Sequence, residues 1–203
     1  MNKIIAAFAI ALGITVIASS YSDSVQADLR DNLIRLHIIA ESDSEADQNI
    51  KLKVRDAVLK EVREKFDIED EKCMEEIIHR LPEFEETANR VLRENGFDYT
   101  ARAMYGKFPF PEKTYKSMTL PAGDYYGIRI ILGNGQGHNW WCVMYPPLCM
   151  SEDGEMTLSE ESKKILRETL DKDTYDIITK KNNEVVVKFK IIEIVQEIKQ
   201  KIK

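Results

Sequence analysis

The composition of the sequence argues against a nucleic-acid-binding surface and against a disulfide scaffold. It has no basic excess: 29 Lys and Arg against 35 Asp and Glu give a net charge of −6, which argues against the positive stripe of a nucleic-acid-binding surface. Three cysteines are too few for a fold that depends on disulfides. Internal repeats and low-complexity tracts are also missing. Because 43% of its 203 residues are hydrophobic, the chain is suited to one domain with a substantial core.

Only one long apolar run is present, and it lies near the N-terminus. Lys3 precedes an uncharged apolar stretch over residues 4–18, and the polar residues after it end in Val25-Gln26-Ala27. A basic start, an apolar centre and small residues before a cleavage point are typical of a secretory signal peptide. We therefore predict a signal peptide over residues 1–27 and a single exported domain over residues 28–203. The alternative is an uncleaved membrane anchor, which the run disfavours because it is shorter than the ~20 residues that span a bilayer comfortably.

Apolar periodicity predicts an α+β fold in which one layer of helices packs on a small, mostly antiparallel sheet. Strands are predicted over residues 33–40, 97–105, 125–132 and 140–145. Helices are predicted over residues 45–66, 74–92 with an interruption at Pro82, from Ser159 onward, and over 185–202. Phe108-Pro109-Phe110-Pro111 is expected to break the second strand. The last two strands are expected to pair as a hairpin with residues 133–139 at its tip.

The segment from Gly133 to Cys149 contains both tryptophans, two of the three cysteines and three glycines spaced two apart. Glycine permits positive φ and tight turns. Adjacent tryptophans on a strand point to opposite faces, so one indole should enter the core while the other is presented outward. We predict a displayed partner-binding surface here, formed by His138, Asn139, Trp140, Trp141, Pro146 and Pro147.

Export permits the cysteines of this segment to pair. The intervening Tyr145-Pro146-Pro147 can turn the chain back, so that the Cα atoms of Cys142 and Cys149 approach within the ~7 Å that a disulfide requires. Such a bond stabilises by roughly 2.5 kcal/mol in the chain-entropy model. Two unpaired buried thiols are an alternative, and so is a zinc site completed by His138, although a fourth ligand is not evident. Cys73 lies in a helical pattern and is expected to be a small buried apolar residue.

Motifs for catalysis are weak. Cys142 and His138 match the residue types of a nucleophile and its base, but on a strand their Cα atoms would lie ~13 Å apart. The three glycines do not have phosphate-loop spacing and precede a strand instead of a helix. The acidic stretch over residues 42–47 lacks the turn glycine and final Glu of a calcium loop. It is instead predicted to start a helix, with Ser44 and Asp47 as a cap. We expect no cofactor, no metal site and no enzymatic activity.

Two blocks of the sequence resemble the stage II sporulation protein R family. One is the run from Gly133 to Cys149, and the other begins at Leu33-Ile34-Arg35-Leu36-His37 and continues to Val58. Family members often carry Asn at the position of Glu41, where this sequence departs from the pattern. The resemblance implies a protein that the forespore secretes into the intermembrane space between forespore and mother cell.

The same resemblance implies the partner. A member of this family activates a membrane-embedded aspartic protease, which then cleaves the precursor of the transcription factor sigma E. On this interpretation the chain is a ligand that carries a signal and not a catalyst. The alternative, from the residues alone, is an exported cysteine-dependent hydrolase of the cell envelope that uses Cys142 and His138.

Overall fold

The computed structural model describes residues 2–70, 72–115, 118–147 and 160–179, together with residues 192 and 194. These parts of the chain form helices, one four-stranded sheet and one two-stranded sheet. The predicted α+β class is therefore confirmed. In chain order they are α1 (Asn2–Asn32), β1 (Ile34–Ile39), α2 (Glu45–Lys65), α3 (Cys73–His79), α4 (Leu81–Glu94), β2 (Ala101–Phe110), β3 (Lys113–Tyr115), β4 (Met118–Leu120), β5 (Gly123–Leu132), β6 (Asn139–Tyr145), α5 (Glu160–Thr169) and α6 (Lys172–Thr179). Of the predicted helix over residues 185–202, only residues 192 and 194 are described, and both are helical; the rest lies outside the described residues.

Strand β1 lies inside the four-stranded sheet, whose order is β2-β5-β1-β6. It runs parallel to β5, with Leu36 opposite Ile128, and antiparallel to β6, with Leu36 opposite Cys142. The predicted hairpin of β5 with β6 is therefore wrong, because β1 separates the two strands. The Leu- and Ile-rich sequence of β1 suits a strand that is buried on both faces. The connection over residues 133–138 is long enough to span the roughly 10 Å across one intervening strand.

Strand β2 continues through the Phe-Pro pairs that were expected to break it. Phe110 is its last residue, and Pro109 lies opposite Asp124 of β5 within the ladder. The prediction failed because β2 is an edge strand. An edge strand tolerates proline, since the missing N–H can face away from the sheet.

Helices α2, α3 and α4 cover one face of the sheet, and their ends follow the sequence signals. The Ser44 hydroxyl accepts a hydrogen bond from the Asp47 N–H at 3.1 Å, which confirms Ser44 as the cap, whereas the Ser44 N–H donates to the Ser42 hydroxyl oxygen and not to the Asp47 side chain. Pro82 stands in the first turn of α4, and Gly96, with φ +78°, follows its end, as glycine does in left-handed C-terminal caps. The core on this face, the helix-side core, includes Leu36, Ile38, Ile50, Val54, Val58, Val62, Phe84, Ala88, Leu92, Ile128, Ile130 and Leu132.

The opposite face of the sheet is also covered, which differs from the single helix layer that we predicted. The last turns of α1, the β3–β4 hairpin, α5 and α6 pack there. We had assigned residues up to Ala27 to a removable segment. The prediction therefore did not include the part of α1 that packs on this face. The second core, the α1-side core, includes Val25, Leu29, Leu33, Phe110, Tyr115, Met118, Leu120, Tyr125, Val143, Leu166, Leu170, Ile177 and Ile178.

Helix α1 is continuous across the predicted boundary at Ala27. Residues Lys3–Asn32 have a mean hydropathy of 2.1 in their most apolar window, and this helix is long and apolar enough to cross a membrane. A signal sequence has the same length and composition. The two halves of the helix differ, however: the side chains of residues 3–17 are exposed, whereas Val25 and Leu29 are buried in the α1-side core.

Candidate functional site

Two loops meet at one end of the sheet. They are residues 40–44, which follow β1, and residues 133–138, which join β5 to β6; we call them together the loop junction. Because β1 is parallel to β5 and antiparallel to β6, the ends of β1 and β5 and the start of β6 share this edge of the sheet. The two sequence blocks over residues 33–58 and 133–149, far apart in the chain, are therefore neighbours in space.

Backbone hydrogen bonds hold the two loops together. The Gly137 N–H donates to the Ala40 carbonyl at 2.9 Å, and the Gln136 N–H donates to the Glu41 carbonyl at 3.1 Å. A loop whose backbone groups are paired in this way has little conformational freedom left to lose when it binds a partner. The loop junction is therefore a pre-organised surface.

The three glycines of the loop serve two different purposes. Gly133 and Gly135 have φ of +55° and +66°, in the left-handed region that glycine enters without steric cost. Gly137 is needed for close approach, because a Cβ there would collide with the Ser42 carbonyl oxygen. The predicted positive φ is thus confirmed at two of the three positions.

Two carboxylates from the first loop bind the second loop. Glu41 accepts hydrogen bonds from the Asn134 backbone N–H and, at 2.9 Å, from the Asn134 Nδ2. Asp43 Oδ1 accepts from the His138 backbone N–H at 2.7 Å and lies 2.5 Å from His138 Nδ1. The sequence had indicated only a helix start in this stretch and no partner for either acid. The pairing could not be found from spacing, because it joins residues more than ninety positions apart.

A third carboxylate, Asp47, anchors the first loop to α2. It accepts from the Ser42 hydroxyl and, at 2.6 Å, from the Tyr99 hydroxyl. Burial alone would raise the pKa of this carboxyl, but the hydrogen bonds from Ser42, Tyr99 and Ser44 outweigh it and lower the pKa. Burial and the bond to Asp47 raise the pKa of Tyr99. Asp47 therefore stays ionised and Tyr99 stays a donor near neutral pH.

Lys51 of α2 links the helix to the second loop. Its Nζ donates to the His138 carbonyl at 3.0 Å and to Gln48 Oε1 at 2.5 Å, and the side chain is buried. Burial lowers the pKa of Lys51, while the nearby charge of Asp43 acts in the opposite direction. The backbone at His138 is therefore fixed from two sides, whereas its imidazole is 75% exposed.

The two tryptophans lie on opposite faces of the sheet, as predicted. Trp140 packs against the helix-side core with the Arg55 guanidinium 4.4 Å from its ring centre. Trp141 packs against the α1-side core, stacked on His37 at 3.7 Å and edge-on to Phe110 at 5.1 Å. Neither indole is displayed, because both faces of the sheet are covered and both rings are partly buried. Neither tryptophan is fully exposed in the described structure, and a role for either one in binding a partner stays a prediction.

The proline corner also differs from the displayed feature that we expected. Pro146 is buried and Pro147 is partly buried. The Pro147 carbonyl accepts a hydrogen bond from the Ser162 hydroxyl of α5 at 2.8 Å. Among the six residues proposed for partner binding, only His138 and Asn139 are exposed in the described structure.

Behind Trp141, His37 is buried in a defined hydrogen-bonding state. Arg129 Nε donates to its Nδ1 at 3.1 Å, so Nδ1 is the acceptor and Nε2 carries the proton, facing Asn139 Oδ1 at 2.8 Å. Burial lowers the pKa of His37 to about 4; the bond to Asn139 opposes this shift, and the charge of Arg129 adds to it. A second ring proton would point at a donor, so the neutral form belongs to the folded state.

We expect the protein to lose stability as the pH falls from about 6.5 to about 4. In that window the unfolded chain protonates this histidine while the folded chain does not, so acid favours unfolding, by at most about 3 kcal/mol. Urea unfolding at pH 7 and pH 4.5 measures the loss. The acid-induced loss of stability should be smaller in His37→Gln than in the wild type. In the exposed control His79→Gln it should equal that of the wild type. An identical acid-induced loss in all three proteins would contradict the assignment.

The nucleophile–base pair proposed as an alternative is not assembled. Cys142 is fully buried in the helix-side core, whereas His138 is exposed at the loop junction and contacts Asp43. No group of three or more His, Cys, Asp and Glu side chains in the described parts of the chain could hold a metal ion. Cys149, the third zinc ligand considered, lies outside those parts.

The pairing of Cys142 with Cys149 stays a prediction. Cys73 is a buried free cysteine, and burial, with the charges of Glu76, Asp70 and Asp67, raises its pKa to about 12. If Cys142 and Cys149 are paired, Cys73 is the one remaining thiol. Thiol labelling of the denatured, non-reduced protein should then find one reactive cysteine per molecule. Labelling after reduction, which should find all three, is the control. Three labels without reductant would show that no disulfide forms.

The region that forms this site is similar to known proteins. The family model for stage II sporulation protein R matches residues 30–155, which include both blocks. The stage II sporulation protein R of Bacillus subtilis (strain 168) is 37% identical over 165 residues, which cover 78% of this chain and 73% of that protein. No solved structure matches the chain. The chain belongs to the stage II sporulation protein R family.

Proposed function

We propose that this protein is an exported sporulation signal that binds a membrane-embedded aspartic protease and favours its active state. Family membership supports a role as a signalling protein of sporulation stage II. The protease would then process the sigma E precursor. The protein would act from the intermembrane space between forespore and mother cell, and α1 is compatible with an export signal.

The observation that carries this proposal is the loop junction. Its backbone is fixed by Gly137–Ala40 and Gln136–Glu41 hydrogen bonds, and its tip exposes the side chains of Asn134, Gln136 and His138. A rigid loop that presents polar side chains is suited to binding another protein, because little entropy is lost on docking. The same residues, with Cys142 buried elsewhere, offer no nucleophile for a hydrolase.

A ligand can activate such a protease only by binding its active state more tightly than its inactive state. An aspartic site needs two carboxylates held close together, one of them with a raised pKa. Bringing them together costs free energy, which binding on the outer side of the membrane would offset. The proposed role of the loop junction is to supply that difference in binding.

The proposal is tested by co-expressing this chain with the protease and the sigma E precursor of its own organism in vegetative Bacillus subtilis cells. We expect shortening of the precursor, seen by immunoblot, only when all three proteins are present and the protease retains both catalytic aspartates. Omitting this chain is the matched control. Normal export of a folded protein without any precursor shortening would refute the proposal.

A further inference from the structure

The second half of α1 is part of the folded domain. One stripe of this half, at helical spacing, is buried against the α1-side core: Ser22, Val25, Gln26 and Leu29, with Leu33 directly after the helix. Of these, Ser22, Val25 and Gln26 precede the cleavage point predicted after Ala27. A domain that began at Asp28 would lose them and expose the surfaces that they cover.

Hydrogen bonds attach the same half of the helix to three separate parts of the domain. The Ser22 hydroxyl donates to the Ile192 carbonyl at 3.4 Å, and Gln26 Nε2 donates to the Asp124 carbonyl at 3.1 Å. The Tyr21 hydroxyl lies 3.5 Å from Asp173 Oδ2 of α6. Gly123, at the start of β5, leaves the room that the Gln26 side-chain amide occupies. The fold is thus built around residues that a signal peptidase would remove.

The first half of α1 is not packed into the described part of the domain. Its large apolar side chains are exposed, for example Phe8 at 76% and Ile17 at 71%. Residues 4–20, which precede the first residues bonded to the domain, include no charged side chain, and as a helix they are about 26 Å long, a few Å less than the ~30 Å hydrocarbon thickness of a bilayer. The Thr15 hydroxyl donates to the Ala11 carbonyl at 2.9 Å, so this polar group is also satisfied within the helix.

We propose that α1 is retained as one helix, with its first half inserted in a lipid bilayer and its second half in the domain core. The hydrocarbon of the bilayer covers the exposed apolar side chains, which water would otherwise contact. Lys3 lies on the cytoplasmic side, in agreement with the preference of basic residues for that side. The domain then stays attached to the membrane across which it is exported.

The tether sets the direction in which the loop junction points. Helix α1 contacts β5 near its first residue, Gly123, while the loop junction follows its last residue, Leu132. A strand of this length spans about 30 Å, so the loop junction lies at the end of the sheet far from the anchor. This part of the inference rests on the proposed function: a ligand anchored in one membrane would present its binding loops toward a receptor in the facing one.

A matched pair of substitutions upstream of Ala27 tests whether the helix is retained. Val25→Ala removes a buried side chain but leaves small residues at the positions that a signal peptidase prefers. Ser24→Ala changes its exposed neighbour. In the full chain, purified from membranes, Val25→Ala should lower the urea midpoint by about 0.5 M and Ser24→Ala should not. Equal midpoints for Val25→Ala and wild type would overturn the proposal, because Val25 would then not be part of the domain core.

Intact mass and fractionation test the anchor itself. We expect the full-length chain to remain in carbonate-washed membranes, with its domain digestible by protease added from outside. A released protein beginning at Asp28 would overturn both halves of the proposal. A released protein cut before Tyr21 would overturn the anchor alone. Precursor shortening is scored separately. A released protein that activates the protease would contradict only the anchor. An anchored protein that does not activate the protease would contradict only the proposed function.

Discussion

Truncating Trp141 to alanine is expected to lower the free energy of unfolding by about 3 kcal/mol. The indole is stacked on His37 with ring centres 3.7 Å apart and meets the edge of Phe110 at 5.1 Å. Its removal leaves a cavity between β6 and the α1-side core, and stacked aromatic pairs add about 0.5–1.5 kcal/mol beyond their buried area. The loss also unpacks His37, whose neutral state depends on burial.

Chemical unfolding of the purified protein measures this loss, with Met104→Ala as the matched control. Met104 lies on the same face of the sheet but is 37% exposed, so its truncation should cost well under half as much. Trp140→Ala should also destabilise, since Trp140 packs on the helix-side core beneath Arg55. A Trp141→Ala protein with wild-type stability would show that this indole is not part of the core and would restore the displayed-tryptophan hypothesis.

Most individual elements were predictable because their signals are local. Ser44 before Asp47, Pro82 after a short helix and Gly96 after a long one mark helix ends through hydrogen bonds and backbone angles within a few residues. The order of the strands was not predictable in this way. Pairing β5 with β6 follows the usual preference of sequence neighbours, and nothing near residues 123–145 indicates that β1 inserts between them.

The burial of two polar residues in β1 was not predictable either. Arg35 and His37 interrupt the apolar run of β1, and both are buried. The Arg35 guanidinium lies 4.6 Å from the Phe110 ring centre and 4.8 Å from that of Tyr125, and its Nε donates to the Cys142 carbonyl. Distant aromatic residues supply this environment, so the run itself does not reveal it.

For the candidate site, the sequence indicated the segment but not its exposed residues. The glycines and the tryptophans identified residues 133–149, and the backbone angles of Gly133 and Gly135 bear out the glycine argument. Which side chains face solvent depends on the elements that pack on the two faces of the sheet. One of these elements is the second half of α1, most of which we had assigned to a removable segment. The exposed surface therefore moves from the tryptophans to His138 and the loop around it.

We expect the double variant Gln136→Ala/His138→Ala to reduce protease activation by at least about 30-fold, the equivalent of ~2 kcal/mol for a binding hot spot. Both side chains are exposed, while the hydrogen bonds that fix the loop use the backbone at these positions. The variant therefore removes contacts with a partner and keeps the shape of the loop.

Stability separates this effect from damage to the fold. An exposed histidine–carboxylate contact is worth about 0–1 kcal/mol, so the double variant should unfold within about 1 kcal/mol of the wild type. His79→Ala, an exposed histidine on α3, is the control that should leave activation intact. Activation is measured as the amount of exported protein that gives half-maximal shortening of the sigma E precursor. If the double variant activates like the wild type, the loop junction is not the surface that the protease binds, and the partner must recognise another face of the domain.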